Sequence, residues 1–131
     1  MGIKVKKIEK RNMAIIVKTN NPTRLRDSII NYMTDKFVTA WIIDEEMDIT
    51  INSDKWRNRA WLRMKVEDGV LAIGIIASRR YKLTNEVYGI YHGTFLATIL
   101  THFDVQMNYI EATPMLDAKY DKYPSSVQSL L

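Results

Sequence analysis

An Asp-Gly pair at residues 68 and 69 sets the strongest limit on the fold, because runs of alternating apolar and polar residues flank it on both sides. Asp-Gly is a preferred two-residue β-hairpin loop, since both residues tolerate the positive φ angles of a type I′ turn. Such a loop fixes the register of the two strands and places Leu62 opposite Ile75. The sequence therefore predicts one long hairpin centred on this turn.

The predicted register gives the two faces of the hairpin different characters. One face carries only apolar pairs, such as Met64 opposite Ile73. The other face is mixed, because it carries Arg63 and Lys65 beside Trp61. Antiparallel sheets commonly bury one face and leave the other to solvent. We therefore expect a sheet that is covered on one side.

Two segments have the period of an amphipathic helix. In residues 22–36 an apolar side chain recurs at every fourth position, and Asn21 followed by proline is a typical helix start. Residues 85–103 carry a second and wider apolar stripe. Gly89 and Gly93 lie beside that stripe and lower helix propensity, so we expect them to permit close approach of another element.

The remaining apolar segments have the composition of strands. The sequence predicts an α+β fold in the order β-β-α-β-β-β-α-β, a single mostly antiparallel β-sheet with two α-helices packed on one face. Segment 38–43, which contains Trp41, either continues into the following strand or turns back and adds one more strand to this order. Outside the hairpin, the predicted strands are residues 3–8, 13–18, 47–52 and 105–113.

The chain of 131 residues, with 47% hydrophobic and 26% charged residues, has the composition of a single globular domain. We expect this α+β domain to span residues 1–113, with 114–131 as an irregular tail that packs on it or extends from it. The absence of cysteine excludes disulfides and thiolate chemistry. No apolar run reaches the roughly 20 residues of a membrane span, and residues 1–12 lack the hydrophobic region of a signal peptide. We expect a soluble, cytoplasmic protein without membrane contact.

The positive net charge of +4 comes from one end of the chain. Residues 1–11 hold five basic residues and one acidic residue, whereas the rest of the chain holds equal numbers of both. Two interpretations stay open for this segment. It is either an edge strand whose lysines block further pairing, or an arm that contacts phosphate.

An acidic cluster at residues 44–48 has two interpretations. If the strand containing Asp48 pairs with the hairpin, Asp48 meets Arg63 and Glu46 meets Lys65, which explains the cluster as cross-strand charge pairing. The rival is a divalent-metal site, but the spacing does not resemble a calcium-binding loop. We favour charge pairing and predict no metal.

The chain offers few groups for catalysis. His92 and His102, the only histidines, lie about 15 Å apart along one helix and cannot share a metal. His92 lies in the apolar stripe, where it is either a hydrogen-bonded core residue, which we favour, or a general base that lines a pocket. No nucleophile-elbow, P-loop or dinucleotide-binding motif occurs. The sequence predicts no catalytic residue and no cofactor.

The clearest candidate binding surface lies at the end of the hairpin away from its turn. Segments 55–63 and 79–82 both combine cations with aromatic rings, and the register places Arg57 opposite Arg80. Opposed like charges are destabilising unless they splay apart or hold an anion. Cations interleaved with rings are typical of surfaces that bind phosphate backbones. The candidate binding residues are Lys55, Trp56, Arg57, Arg59, Trp61, Arg79, Arg80 and Lys82.

Three functions are compatible with these patterns, and the sequence does not identify an activity. The favoured hypothesis is a non-enzymatic protein-binding or self-associating module such as a homodimer, because Trp61 and Ile76 lie side by side on the mixed face. The C-terminal tail is the other candidate to cover that pair. The alternative is a nucleic-acid or phosphate-binding protein that uses the basic and aromatic surface. The third is a small-ligand or enzyme pocket near His92.

Overall fold

The computed structural model describes residues 15–112, and the statements below concern that range. The predicted strand at 3–8, the basic segment 1–11 and the tail at 114–131 lie outside the described residues. The described chain forms one antiparallel sheet of six strands with two long helices, which confirms the α+β class. The elements are β1 (Ile15–Lys18), α1 (Pro22–Thr34), β2 (Trp41–Ile43), β3 (Asp48–Ile51), β4 (Ala60–Glu67), β5 (Val70–Ala77), α2 (Asn85–His102) and β6 (Tyr109–Ala112), with a 3₁₀ turn at Asp104–Gln106.

The sheet has the spatial order β2-β3-β4-β5-β1-β6, so the β4–β5 hairpin lies at its centre. The predicted register of that hairpin is confirmed along its length, from Glu67 opposite Val70 to Ala60 opposite Ala77. The turn itself differs from the prediction. Gly69 has a φ of 73°, but Asp68 is not among the residues with positive φ, so the turn is not type I′.

Segment 38–43 turns back rather than continuing forward. β2 pairs antiparallel with β3, which adds the one further strand that the sequence left open. The reversal occurs because the Asp44 carboxylate accepts the backbone N–H groups of Glu46, at 2.9 Å, and Asp48, at 3.0 Å. Met47 completes the turn with a φ of 64°.

The pairing of β3 with β4 is confirmed for Asp48 opposite Arg63. The predicted contact between Glu46 and Lys65 is wrong, because the ladder between these strands does not extend past Asp48. Lys65 instead places its Nζ atom 3.5 Å from Oε2 of Glu67, which lies two residues along the same strand.

Helix α1 begins as predicted and ends earlier. The Asn21 side chain accepts the backbone N–H of Arg24 at 3.0 Å, which caps the first turn. At the other end, Asp35 leaves the helical conformation and its carboxylate accepts the N–H of Phe37 at 2.9 Å. Phe37 is therefore 81% exposed and does not continue the apolar stripe.

Both helices pack on one face of the sheet and share one core with it. Leu25 and Ile29 of α1, Phe95 of α2, and Leu62 and Ile73 of the hairpin are fully buried in that core. In the described range, neither helix combines the length and the apolar character that crossing a bilayer requires. The predicted last strand is shortened, because the 3₁₀ turn precedes β6.

The second face of the hairpin is less exposed than we expected. Trp61 and Ile76 are neighbours in the register, but they are only 4% and 0% exposed. The prediction of an exposed apolar pair is therefore wrong. β5, from Val70 to Ala77, contains no charged residue and is buried along nearly its whole length, a pattern typical of a strand that is covered on both faces.

Candidate anion-binding site

A concavity of about 360 Å³ lies at the end of the hairpin away from Gly69. Three stretches of chain form it: the loop between β3 and β4, the connection between β5 and α2, and the first turn of α2. We call it the basic concavity. Its lining residues are Lys55, Trp56, Arg59, Arg80, Tyr81, Lys82, Thr84, Glu86 and Val87.

The β3–β4 loop is tied to the core through the buried side chain of Tyr91. The Tyr91 hydroxyl donates a hydrogen bond to the carbonyl of Trp56 and lies 2.9 Å from the hydroxyl of Thr50. The Thr50 hydroxyl also accepts the N–H of Asn58 at 3.0 Å. Burial raises the pKa of Tyr91 above its usual value, so its hydroxyl stays protonated at neutral pH. The loop is thus held at Trp56 and at Asn58 by hydroxyl groups inside the fold.

Two cations of the basic concavity lie against aromatic rings. The guanidinium of Arg59 lies over the ring of Tyr81, with Cζ 4.1 Å from the ring centroid. The Nζ atom of Lys55 lies 4.9 Å from the centroid of the Trp56 ring. Cation–π contacts hold these side chains in place without neutralising their charge. The Arg59–Tyr81 contact also joins the β3–β4 loop to the connection between β5 and α2.

The charge of the basic concavity is strongly unbalanced. Lys55, Arg59, Arg80 and Lys82 line it, and the one carboxylate among its lining residues belongs to Glu86. Within the described range, none of the four cations forms an ion pair with a carboxylate. Clustered charges of one sign focus the electrostatic potential and attract counter-ions of opposite sign. The arrangement is therefore suited to an anion.

Five of the eight predicted binding residues line the basic concavity, and three do not. Arg57 donates a hydrogen bond to Oδ1 of Asn52 at 2.7 Å and lies 3.7 Å from Asp54. Its side-chain contacts therefore lie within its own loop rather than in the basic concavity. Trp61 is buried in the sheet. Arg79 is not a lining residue.

The predicted opposition of Arg57 and Arg80 does not form. The β4–β5 ladder stops at Ala60 opposite Ala77, because Asn58, with a φ of 61°, turns the chain out of the strand direction. The positive φ at Asn58 is a local property that the sequence indicates only weakly, since asparagine is the residue most often found there after glycine.

The sequence did not indicate the contribution of α2 to this site. Thr84 caps the helix by accepting the N–H of Val87 at 3.2 Å, and both residues line the basic concavity. Tyr81, which follows Arg80 in the sequence, is not among the eight predicted binding residues. These contacts depend on where α2 packs against the sheet, which periodicity does not specify.

His92 is a core residue of α2. It is 5% exposed, its Nδ1 atom lies 2.9 Å from the carbonyl oxygen of Tyr88, and its ring stacks on the Tyr88 ring at a centroid distance of 4.0 Å. A carbonyl only accepts, so Nδ1 carries the proton, and among the described residues the buried Nε2 atom has no hydrogen-bond partner. Burial lowers the pKa of His92 to about 4. His92 is not among the lining residues of the basic concavity.

The acidic cluster is explained by structural contacts. Carboxylate oxygens of Asp44, Glu46 and Asp48 lie within 4.8 Å of one another. However, Asp48 accepts two hydrogen bonds from the Arg63 guanidinium, and Asp44 accepts the backbone N–H groups of its turn. The charge-pairing interpretation of Asp48 is confirmed, and we assign no metal to this cluster.

Comparison with known proteins adds no functional assignment. The chain matches no protein-family model, no curated protein and no solved structure. The residues of the basic concavity therefore carry the functional inference.

Proposed function

We propose that this protein binds phosphate-bearing anions in the basic concavity, with Lys55, Arg59, Arg80 and Lys82 as the ligand contacts. The observation that carries the proposal is the presence of four cations around one concavity, none of them paired with a carboxylate of the described residues. A bound anion relieves the repulsion among them, and it gains charge-assisted hydrogen bonds in return.

The two arginines favour an oxyanion such as phosphate over a simple halide. A guanidinium presents donors in a planar fork that matches two phosphate oxygens at once. Arg59 already rests on the Tyr81 ring, so less side-chain freedom is lost when a ligand binds. Lys55 and Lys82 add point charges at the exposed rim.

The first turn of α2 supports the same ligand. The N-terminus of an 18-residue helix carries a partial positive charge and backbone N–H groups without helical partners. Thr84 and Val87 bring this helix end to the basic concavity. The carboxylate of Glu86, which lies in the same first turn, opposes the positive charge of the helix end. We therefore expect the anion to lie closer to the arginines than to Glu86.

The test is a calorimetric titration of the full chain with inorganic pyrophosphate at low salt. We expect the double variant Arg59→Gln/Arg80→Gln to weaken binding by roughly tenfold or more, given the strength of charge-assisted hydrogen bonds. The matched control is Arg24→Gln/Lys36→Gln, which removes the same charge from exposed positions on and after α1.

A second control addresses the basic N-terminal segment. The variant Lys6→Gln/Lys7→Gln lowers the net charge by the same amount and leaves every lining residue of the basic concavity unchanged. We expect both controls to bind pyrophosphate as the wild type does. Equal losses in all three variants, or no binding by the wild type, would refute the proposal.

Protein binding or self-association stands second. It rested on an exposed Trp61–Ile76 pair, and both residues are buried. Light scattering at two concentrations tests it directly: a mass that stays at 15.3 kDa argues against self-association, and a mass near twice that value supports it.

A further inference from the structure

We infer that the ligand of the basic concavity is single-stranded nucleic acid, whose phosphates contact the four cations while its bases stack on Trp56 and on the Arg59–Tyr81 pair. This inference rests on the proposed phosphate binding and adds the class of ligand. The observations behind it are the position of the two rings, the exposure of the rim and the absence of a closed pocket around it.

Two aromatic rings from different stretches of chain line the basic concavity. Trp56 comes from the β3–β4 loop and Tyr81 from the β5–α2 connection, and both are lining residues. Each ring has a cation beside it, so phosphate contacts and stacking surfaces alternate across the site. Aromatic rings and arginine planes are the two surfaces on which proteins stack unpaired bases. A phosphoserine side chain carries a phosphate but no ring that could stack on these surfaces.

The rim of the site is too exposed for a free mononucleotide. Lys55, Arg80 and Lys82 are exposed, and Tyr81 is 37% exposed. Small-ligand pockets usually enclose roughly 70–90% of the ligand surface, and they place polar groups to fix its orientation. An extended strand tolerates an open site, because several phosphates and bases make contact along it.

The site also lacks the features of a duplex-binding surface. The first turn of α2 reaches the basic concavity, but the helix continues into the core, where Tyr91 and Phe95 are fully buried. A helix that is buried in this way cannot enter the major groove as a recognition helix does. Stacking on Trp56 and Tyr81 also requires bases that are not already stacked in a duplex.

The lining side chains indicate little discrimination among bases. Apart from the cations, the lining side chains that can hydrogen-bond to a base edge are those of Trp56, Tyr81, Thr84 and Glu86. Stacking is tolerant of sequence because every base presents a π-face. We therefore expect a preference for unpaired strands rather than for a particular sequence.

The experiment measures the anisotropy of labelled ten-nucleotide probes with the full chain. The probes are oligothymidine, oligouridine, an abasic strand with the same number of phosphates, and a duplex of the same length. We expect the two strands with bases to bind roughly tenfold more tightly than the abasic strand, as one or two stacked bases contribute. We expect the duplex to bind no better than the abasic strand.

Side-chain variants identify the stacking surface. We expect Trp56→Leu and Tyr81→Leu each to weaken oligothymidine binding about five- to tenfold and to leave abasic-strand binding within about twofold. Trp56→Phe keeps a ring and should recover most of the affinity. The matched control is Tyr109→Leu, which removes a 52% exposed ring outside the basic concavity.

Tryptophan fluorescence gives an independent readout. Trp41 and Trp61 are 3% and 4% exposed, whereas Trp56 lines the basic concavity. Quenching by oligothymidine that is lost in Trp56→Phe therefore reports bases at this site. Because Trp56 packs against the core, circular dichroism should establish that each variant is folded.

The outcomes separate the inference from the proposal on which it rests. The assignment of single-stranded nucleic acid as the ligand is wrong if the abasic strand binds as tightly as oligothymidine, or if the duplex binds more tightly than oligothymidine. In either case the proposal of phosphate binding still stands. If a phosphoserine peptide outcompetes oligothymidine, the partner is a phosphoprotein instead. If neither pyrophosphate nor any strand binds, both statements fail.

Discussion

The guanidinium of Arg63 holds the carboxylate of Asp48 with two hydrogen bonds, from Nε to Oδ1 and from Nη2 to Oδ2. The Asp48 side chain is 0% exposed and that of Arg63 is 15% exposed. The pair joins β3 to β4 at the point where their ladder ends. It therefore places a carboxylate inside the fold, and the Arg63 guanidinium offsets the cost of burying that charge.

Removal of that partner should destabilise the protein strongly. We expect Arg63→Met to lower the free energy of unfolding by roughly 3 kcal/mol, because it leaves a buried carboxylate without its counter-charge. Urea denaturation measures this change. The matched control is Lys65→Met on the same strand, whose surface contact with Glu67 contributes less than about 1 kcal/mol. Equal effects of the two substitutions would contradict the structural role of the pair.

Stability should fall on acidification because of His92. Burial lowers its pKa from 6.5 to about 4, so between these values the unfolded chain binds a proton that the folded chain does not. The free energy of unfolding is then highest above pH 6.5 and decreases toward pH 4, by up to about 3 kcal/mol from this residue. We expect His92→Phe to lose that part of the pH dependence in urea titrations between pH 7 and 4.

The comparison of wild type with His92→Phe isolates this residue, because the carboxylates and His102 are common to both proteins. Parallel pH profiles for the two would show that the ring at position 92 is accessible to water. An NMR titration of the His92 ring in the wild type provides a direct check of its pKa.

Tyr91 should link the stability of the fold to the binding site. Its hydroxyl holds the carbonyl of Trp56, and the same loop carries Lys55 and Arg59. We expect Tyr91→Phe to lower the free energy of unfolding by about 1–2 kcal/mol and to weaken pyrophosphate binding. The control is Tyr32→Phe, which removes an exposed hydroxyl bond to His102 far from the loop in sequence. Unchanged affinity in Tyr91→Phe would mean that the loop is held by its other contacts.

Two glycine substitutions should have opposite signs. Gly69 has a φ of 73°, so we expect Gly69→Ala to destabilise the hairpin by about 1–2 kcal/mol. Gly93 lies inside α2, and among the described residues no other element comes within 4 Å of an added Cβ, so the close approach expected at this glycine is absent. Gly93→Ala should therefore stabilise by roughly 0.5–1 kcal/mol. Thermal denaturation of both variants measures the two shifts. A loss of stability in Gly93→Ala would indicate a close contact at this helix face.

The β4–β5 hairpin was the most predictable part of the fold, because a two-residue loop allows one register and every pair follows from it. The turn type was not predictable in the same way. A single left-handed residue, Gly69, is enough to close the loop, and the composition Asp-Gly fits more than one turn. Local sequence thus determined the pairing but not the φ angle of Asp68.

The burial of Trp61 and Ile76 cannot be predicted from the composition of β4 alone. β4 alternates, with Arg63 and Lys65 on the second face, whereas β5 is apolar at nearly every position. The latter pattern is typical of a central strand buried on both sides. The apolar sequence of β5 thus indicates that the Trp61–Ile76 pair is buried. An exposed pair was the main reason for proposing a self-associating module.

The binding site was about half predictable. The hairpin register brought the segments around Arg59 and Arg80 to the same end of the sheet, and both residues line the basic concavity. The direction of Arg57 depends on Asn52 and Asp54 within its own loop. The arrival of Thr84 at the site depends on the packing of α2. Neither is set by strand periodicity.

The basic concavity and the Asp68–Gly69 turn lie at opposite ends of the eight-pair β4–β5 ladder. At about 3.4 Å per residue, the ladder separates them by roughly 25 Å. The turn is therefore a suitable attachment point for a dye, an affinity tag or a chip surface. A molecule tethered there presents its ligand-facing end to bulk solution, so immobilised assays would need no redesign of the fold.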